Sequence, residues 1–598
     1  MTTTAELVTK GAFDLDWRKV ARLGGLTALG LVFIALAGMP VGLDSRILIE
    51  KYLSLGYVSL LWLSLIMGWL MGKETLLEGM TATRKSSRDA VGGACVGALG
   101  GLGLAILGLL INTFDLRDPL VNWSPQTLDI LTFGGGVGVV VVWIPICAAL
   151  GAVGGALHLA PPKVAKATIA AILTVLMTAI FATFIVDVVS PLDFLYSKNR
   201  ELKLGWALVL AAVAVGFVFS GGGQQLARVK ADYHNTTGPA KTRQTAALIV
   251  VSAAVLIIIP QVAGKITQEL MANIGIFLLL ALGLNIVVGM AGILDLGYVA
   301  FFAVGGYTTA VLTSPNRGED WPGWFPTLPW WGALMVTVVV ASLVGLFIGA
   351  PVIRMRGDYL AIVTLGFGEI IRILFLSDWL NGYFNGAQGI TNVPPADFGV
   401  FEVKGTDPRS VFYLVLVFAA LSIYVSWRLE HSRLGRAWMA VREDESVAEA
   451  MGINTVNVKL AAFVVGAILA SFSGAIFAAK VGSIFPTSFL ILVSIIILVI
   501  VIVGGMGSIL GVIAGSVVLV GILGGPKQPG LLQEFSQYKL LIYGALLVWM
   551  MLQRPEGLVP NVRRTRELHQ DEFLQDAWLK GQVDTGEEEP AVEGGEVR

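Results

Sequence analysis

Apolar runs long enough to cross a bilayer, which takes about 20 residues, follow one another along most of this chain with only short polar links between them. Inside hydrocarbon a backbone has no water to bond, so each run must close its own hydrogen bonds as a helix. The expected fold class is all-α, a polytopic membrane helical bundle. Six runs come first: Leu23–Leu43, Tyr52–Gly72, Ala90–Asn112, Ile130–Ala160, Thr168–Val189 and Leu204–Ser220. Ten follow, Ala246–Gly264, Leu270–Ile293, Tyr298–Ser314, Trp331–Ile353, Tyr359–Leu376, Val411–Trp427, Leu460–Val481, Phe485–Val503, Ile509–Leu523 and Tyr538–Leu552, for about 16 candidate transmembrane segments. Tyr298–Ser314 is short and glycine-rich and reads as broken or re-entrant, while the overlong Ile130–Ala160 suggests a kink at Pro145.

Composition agrees. Of 598 residues, 55% are hydrophobic and 14% charged, with mean hydropathy +0.77, outside the range of soluble domains. The 71 glycines would weaken soluble helices but let membrane helices approach closely. A net charge of −1 offers no basic surface for nucleic acid. Cys95 and Cys147 sit in apolar runs, so neither a disulfide framework nor a zinc site is expected. His158, His234, His431 and His569 are too scattered to hold a metal. The polar start through Arg22, followed by a run long enough to stay in the membrane, argues against a cleaved leader.

Lysine and arginine collect in loops on the cytoplasmic side, and here they recur in every second link. Lys10, Arg18, Lys19 and Arg22 put the N-terminus inside; Arg84, Lys85 and Arg88, then Lys163 and Lys166, then Arg228, Lys230, Lys241 and Arg243, then Arg354 and Arg356, follow in phase. Arg554, Arg563, Arg564 and Arg566 put the C-terminus inside as well, and the weak point is the loop Leu192–Lys203, whose Lys198, Arg200 and Lys203 fall outside. Trp321, Trp324, Trp330 and Trp331 form an outer interfacial belt, and the polar stretch Ser377–Arg409 is long enough to meet a partner. A polar separator at Gln224–Gln244 divides a first module, residues 1–244, from a core, residues 245–560; the hydrophilic tail, residues 561–598, reads as solvated. The sequon at Asn235 falls on the inner side and reads as accidental.

One polar island breaks the second module. Arg428, Arg433, Arg436, Arg442, Glu443, Asp444, Glu445 and Glu449 lie between Arg428 and Lys459 and must stand in water. Good helix formers from Arg436 to Glu449 predict one surface helix, closed by Gly452 in the left-handed conformation. Taken alone, the island is a solvated loop or a docking site.

Three further stretches are unusual for spanning helices: Asn285 to Tyr307, with Gly289, Gly292, Gly297, Gly305 and Gly306; Arg354 to Arg372, which includes Arg356-Gly357-Asp358-Tyr359 and Leu365-Gly366-Phe367-Gly368-Glu369; and Asn385 to Ile390. With the island and the region Leu460–Gly505, they resemble the branched-chain amino acid ABC transporter permease family, in its larger-subunit branch, over roughly Ala246–Pro560. Two positions depart from it: Asp295 and Tyr298 stand where much of the family has Ser and His. The first module, residues 1–244, lies beyond the pattern.

The resemblance implies an inner-membrane importer subunit translocating branched-chain or related apolar amino acids. It further implies a second related permease, two ATP-binding-cassette ATPases and a periplasmic or lipid-anchored binding protein. ATP and Mg would be held by the partners and no cofactor by this chain, which also lacks any G-x-x-x-x-G-K-S/T phosphate cradle and any metalloprotease or serine-nucleophile motif. The chain is thus expected not to be an enzyme. Rival readings are a urea or short-amide permease and an ATPase-independent secondary transporter. On the island, Arg436, Arg442, Glu445, Glu449, Ala450 and Gly452 are the expected ATPase-coupling residues. For the substrate pathway the candidates are Asp295, Tyr298, Phe302, Tyr307, Thr364, Glu369 and Arg372. Each has a plainer reading: Glu369 and Arg372, one turn apart, as a mutually neutralised pair; Phe302 and Tyr307 as packing; Asp295 as a helix cap.

Overall fold

A computed structural model describes residues 16–559 apart from 51–52, 72–73, 76–80, 83–86, 117, 119, 121, 158–159, 189, 222–238, 353–354, 356–357, 398–401, 526–529 and 532. The tail 561–598, most of the separator with its sequon, and Arg354, Arg356 and Gly357 of the second motif lie outside the described residues. The chain forms two compact units, Met1–Val262 and Ala263–Arg598. Ten helices among the described residues are long and apolar enough to cross a membrane, and six shorter apolar ones accompany them; four two-stranded ribbons are the sheets described.

The first unit runs α1 (Trp17–Leu36), α2 (Met39–Asp44), α3 (Leu55–Met71), α4 (Ser87–Thr113), α5 (Pro125–Leu131), α6 (Trp143–Ala156), α7 (Pro162–Ile180), α8 (Ala182–Val188), α9 (Leu204–Phe219) and α10 (Pro239–Val262). Helices α4 and α6 meet backbone to backbone. A Cβ added at Gly93, Gly97 or Gly155 would overlap the carbonyl oxygen of Gly151, Cys147 or Asp89 respectively, the close approach that small residues permit in membranes. Ile130–Ala160 is not one kinked helix. It breaks at residues 132–136, where Phe133 and Gly134 have φ of 53° and 70°, and resumes through a 3-10 turn, Val137–Val142, into α6. Pro145 therefore lies in the first turn of α6, where no intrahelical donor is required of it. Phe133 joins Tyr57 and Trp143 in an aromatic triad, 5.2 Å from each, with those two 6.4 Å apart.

The second unit runs α11 (Lys265–Leu284), α12 (Val299–Thr313), α13 (Trp330–Val352), α14 (Asp358–Leu376), α15 (Asn381–Phe384), α16 (Pro408–Glu430), α17 (Arg433–Glu443), α18 (Glu445–Ala450), α19 (Thr455–Val481), α20 (Ile491–Gly504), α21 (Ile509–Leu523) and α22 (Lys539–Gln553). Its axis is α11, uniformly apolar after Asn273 and almost wholly buried, as expected of a helix surrounded by others. It packs against α16, α19 and α21, and α12 lies along α19. Helices α13 and α14 stay at the periphery with apolar faces exposed. A short antiparallel ribbon joins the loop after α14 to the end of α19, with Ile390 opposite Ile484.

Candidate functional site

The break in the second unit begins where α11 loosens into a π-helix, Asn285–Met290, a rare form frequent at functional sites. Gly292 then takes φ +71°, and the chain runs non-helically to α12. Backbone that leaves a helix needs other partners for its polar groups, and here side chains supply several. Leu296 N–H donates to Thr364 Oγ1 (3.1 Å), Gly297 N–H to Asp295 Oδ1 (2.9 Å), Val299 N–H to Ser494 Oγ (2.9 Å) and Gly507 N–H to Asn285 Oδ1 (2.8 Å). Tyr298, fully buried, donates its hydroxyl to the Gly466 carbonyl at 2.7 Å. A side chain at Gly297 would collide with the Thr364 carbonyl.

Asp295, in the connection between the spans, is 2% exposed. Its Oδ1 caps the turn into α12, an Asx-type bond two residues ahead, while Oδ2 is buried with no hydrogen-bond partner. Burial pushes its carboxyl up to about 7, against the lowering effect of the Gly297 N–H and the Thr364 hydroxyl.

Phe302 and Tyr307, on α12, belong to one buried aromatic cluster. Phe302 lies 5.3 Å from Phe477 and 5.1 Å from Phe489; Tyr307 stacks on Phe375 at 3.8 Å and stands 5.8 Å from Phe489. Glu369 and Arg372 pair on α14, Arg372 Nε donating to Glu369 Oε1 at 2.9 Å. They lie on a stripe that also carries the exposed Tyr359, Ile362, Ile370 and Ile373.

The island is two helices rather than the single one expected. Asp444 takes an extended conformation, and its carboxylate accepts from the backbone N–H of Ser446 (2.8 Å) and Val447 (3.0 Å). An N-cap carboxylate of this kind competes with helix continuation, which separates α17 from α18. At the far end Gly452 (φ +84°) donates to Glu449 O at 2.9 Å and Ile453 to Ala448 O at 3.1 Å, the double-bonded left-handed closure of a helix.

The island is held from behind. Trp438 is buried and donates to Val458 O (2.7 Å), Glu445 pairs with the buried Lys459 (2.6 Å), and Arg442 Nη1 donates to Gly289 O (2.6 Å). Arg436, Glu449, Ala450 and Gly452 are exposed, together with Val447 at 58% and Met451 at 78%. The expected coupling residues thus divide: Arg442 and Glu445 turn toward the core, the other four outward.

A family model described as the branched-chain amino acid transport system permease component matches residues 266–551. Among curated proteins, the Salmonella typhimurium high-affinity branched-chain amino acid transport system permease protein LivM is 40% identical over 309 residues, 48% of this chain and 68% of that protein. The chain belongs to this permease family. The Escherichia coli LivM permease is 38% identical over 51% of this chain and 72% of its own length. The second E. coli permease, LivH, is 26% identical over 48% and 93%. The larger, LivM-like branch of the permease family is the nearer one, and no solved structure matches. The protein is a multi-pass membrane permease.

Sequence reasoning missed several residues of this permease site. Ser494 supports the break from far along the chain, and Asn285, at its start, accepts from the distant Gly507. Lys480, buried near the end of α19, pairs with Glu269 at 2.7 Å and with Asn273. A lone lysine inside an apolar run was the available signal for that last cluster.

Proposed function

We propose that the chain is the permease subunit of an ATP-driven importer of branched-chain amino acids in a bacterial inner membrane, with both termini cytoplasmic. Its partners are a second, related permease, two ATPases and a substrate-binding protein. The carrying observation is the outward arc of α17 and α18: Val447 and Met451 stand exposed among Arg436 and Glu449 on a helix pair fixed from behind by Trp438, Arg442 and Lys459. Exposed apolar side chains on a rigid charged platform fit a docking surface, and the partner there is an ATPase, since the sequence has no nucleotide cradle of its own.

The transport path follows from cost. An ion pair whose carboxylate side chain is 37% exposed is expensive against lipid tails, so the α14 stripe faces a water-filled path or the second permease. Glu369 and Arg372 offer a zwitterionic substrate one contact of each sign, with Phe302 and Tyr307 as the apolar wall and Asp295, Tyr298 and Thr364 as the hinge beside it.

Affinity purification of the chain from membranes, with mass identification of what accompanies it, tests the assembly. Two ATPases and a second permease are expected, and ATP-dependent uptake of labelled leucine by vesicles carrying the whole complex. Uptake or exchange by the purified chain alone overturns the reading. Glu369→Gln is expected to lower uptake roughly 10-fold, the scale of a lost hydrogen bond to a charged group, with assembly intact; unchanged uptake kinetics would leave the pair a structural one.

A further inference from the structure

Arg442 leaves the last turn of α17 away from the exposed arc and enters a junction of three chain segments. Its guanidinium donates to the carbonyl of Gly289 in the π-helix, and carbonyls at a helix end are those its own ladder leaves over. Its stem lies against Gly292, where an added Cβ would fall 2.6 Å from Arg442 Cγ. The third segment is the turn between α20 and α21. Gly507 there has φ +78°; a Cβ on it would lie 3.4 Å from Arg442 Nη1 and 3.2 Å from Gly289 O, and its N–H already bonds Asn285 at the start of the π-helix. Gly292 thus makes room for this side chain and Gly507 for the close approach to the Gly289 carbonyl, and both hold the left-handed conformation that other residues rarely adopt.

We infer that Arg442 is a positioning residue, the joint through which displacement of α17 and α18 reaches the π-helix, and from there the break at Asp295 and Tyr298. The inference rests on the reading of this helix pair as the ATPase dock, and it separates two roles within it: Glu449 and Gly452 face the motor, whereas Arg442 faces the channel. The tie to α19 through Glu445 and Lys459 is a second, parallel link. Arg442, however, is the one that reaches the segment where α11 loses regular helix. A charge-assisted bond here joins a helix pinned from behind to a segment with irregular backbone bonding, a contiguous contact along which coupling can run.

The test uses the complete transporter with its ATPases in proteoliposomes, measuring labelled leucine taken up per ATP hydrolysed. Arg442→Met keeps the stem against Gly292 and removes the donor; Arg442→Lys restores a shorter donor with one nitrogen. The expected result is normal co-purification of the ATPases with both variants, a coupling ratio reduced at least ~10-fold in Met, as for a lost hydrogen bond to a charged group, and partial recovery in Lys. A ratio within about twofold of the parent in Met overturns the inference. So does loss of the ATPases in both variants, which would make Arg442 a docking contact. Should the Met variant fail to accumulate in the membrane, Arg442→Leu, which also lacks the donor, takes its place, and a parental ratio there overturns the inference equally. Glu449→Arg, run beside them, reports on the dock itself: retention of ATPases and uptake in that variant refutes the docking surface on which the inference rests, an outcome distinct from a parental ratio in the Arg442 variants.

Discussion

Gly452 gives the sharpest handle on the island, because its space and its conformation can be varied separately. A Cβ there meets nothing within 4 Å, so Gly452→Ala introduces no clash and its whole effect comes from φ +84°. Holding alanine in the left-handed region costs about 1–2 kcal/mol, enough to lower the population of the closed cap roughly 5–30-fold. Asparagine tolerates that region better and should lose less. Proline cannot reach it, its φ being fixed near −65°, and it also deletes the N–H that donates to Glu449 O at 2.9 Å, a loss of about 3 kcal/mol or more. Uptake of labelled leucine, normalised to permease in the membrane, should therefore fall in the order Asn, Ala, Pro, with Pro near zero. Membrane insertion and thermal midpoint should hold, since Gly452 is exposed. Parental uptake in the proline variant, or alanine falling below proline, would refute the claim that a left-handed cap shapes the docking surface.

Asp295→Asn tests the buried carboxyl. Its pKa is raised, so the fold prefers the protonated form; the penalty for ionisation is absent below about pH 4 and complete above about pH 7, on the order of 4 kcal/mol. The thermal midpoint of the parent in detergent should fall between pH 5 and 8 by more than that of the Asn variant; parallel curves would sink this account. In the first unit, Gly97→Leu should lower the thermal midpoint and membrane yield, overpacking costing about 1–3 kcal/mol. Gly25→Leu, where a Cβ meets nothing, should do neither; equal behaviour of the two would show that the α4–α6 seam does not matter.

Most spans were legible because each is a local matter of apolar length, whereas the glycine-rich Tyr298–Ser314, read as broken, is the unbroken α12, and the non-helical stretch precedes it, where Gly292 and Gly297 flank Asp295. The form of that break was not legible. The π-helix is supported by Gly507, 222 residues from Asn285, and by Arg442, 153 residues from Gly289, separations no periodicity reports. On the island, helix propensity outweighed a local signal: Asp444 followed by Ser446 and Val447 is a capping arrangement, which splits a stretch that its alanines read as one helix. The break at residues 132–136 likewise carries its own mark in Gly134, Gly135 and Gly136, whereas Pro145 drew attention because proline is usually the breaker.

Helix α19 spans 27 residues, roughly 40 Å at 1.5 Å per residue, without an internal proline. At one extremity it is bolted to the island through Val458 and Lys459; past the other, Gly482 turns the chain directly into the ribbon that clasps Ile390 and Thr391. Such a strut has no hinge in which to dissipate a tilt. A push on the ribbon would therefore tilt the opposite extremity as well, so that within this unit the two ends of one helix can be linked without a relay of intermediate contacts.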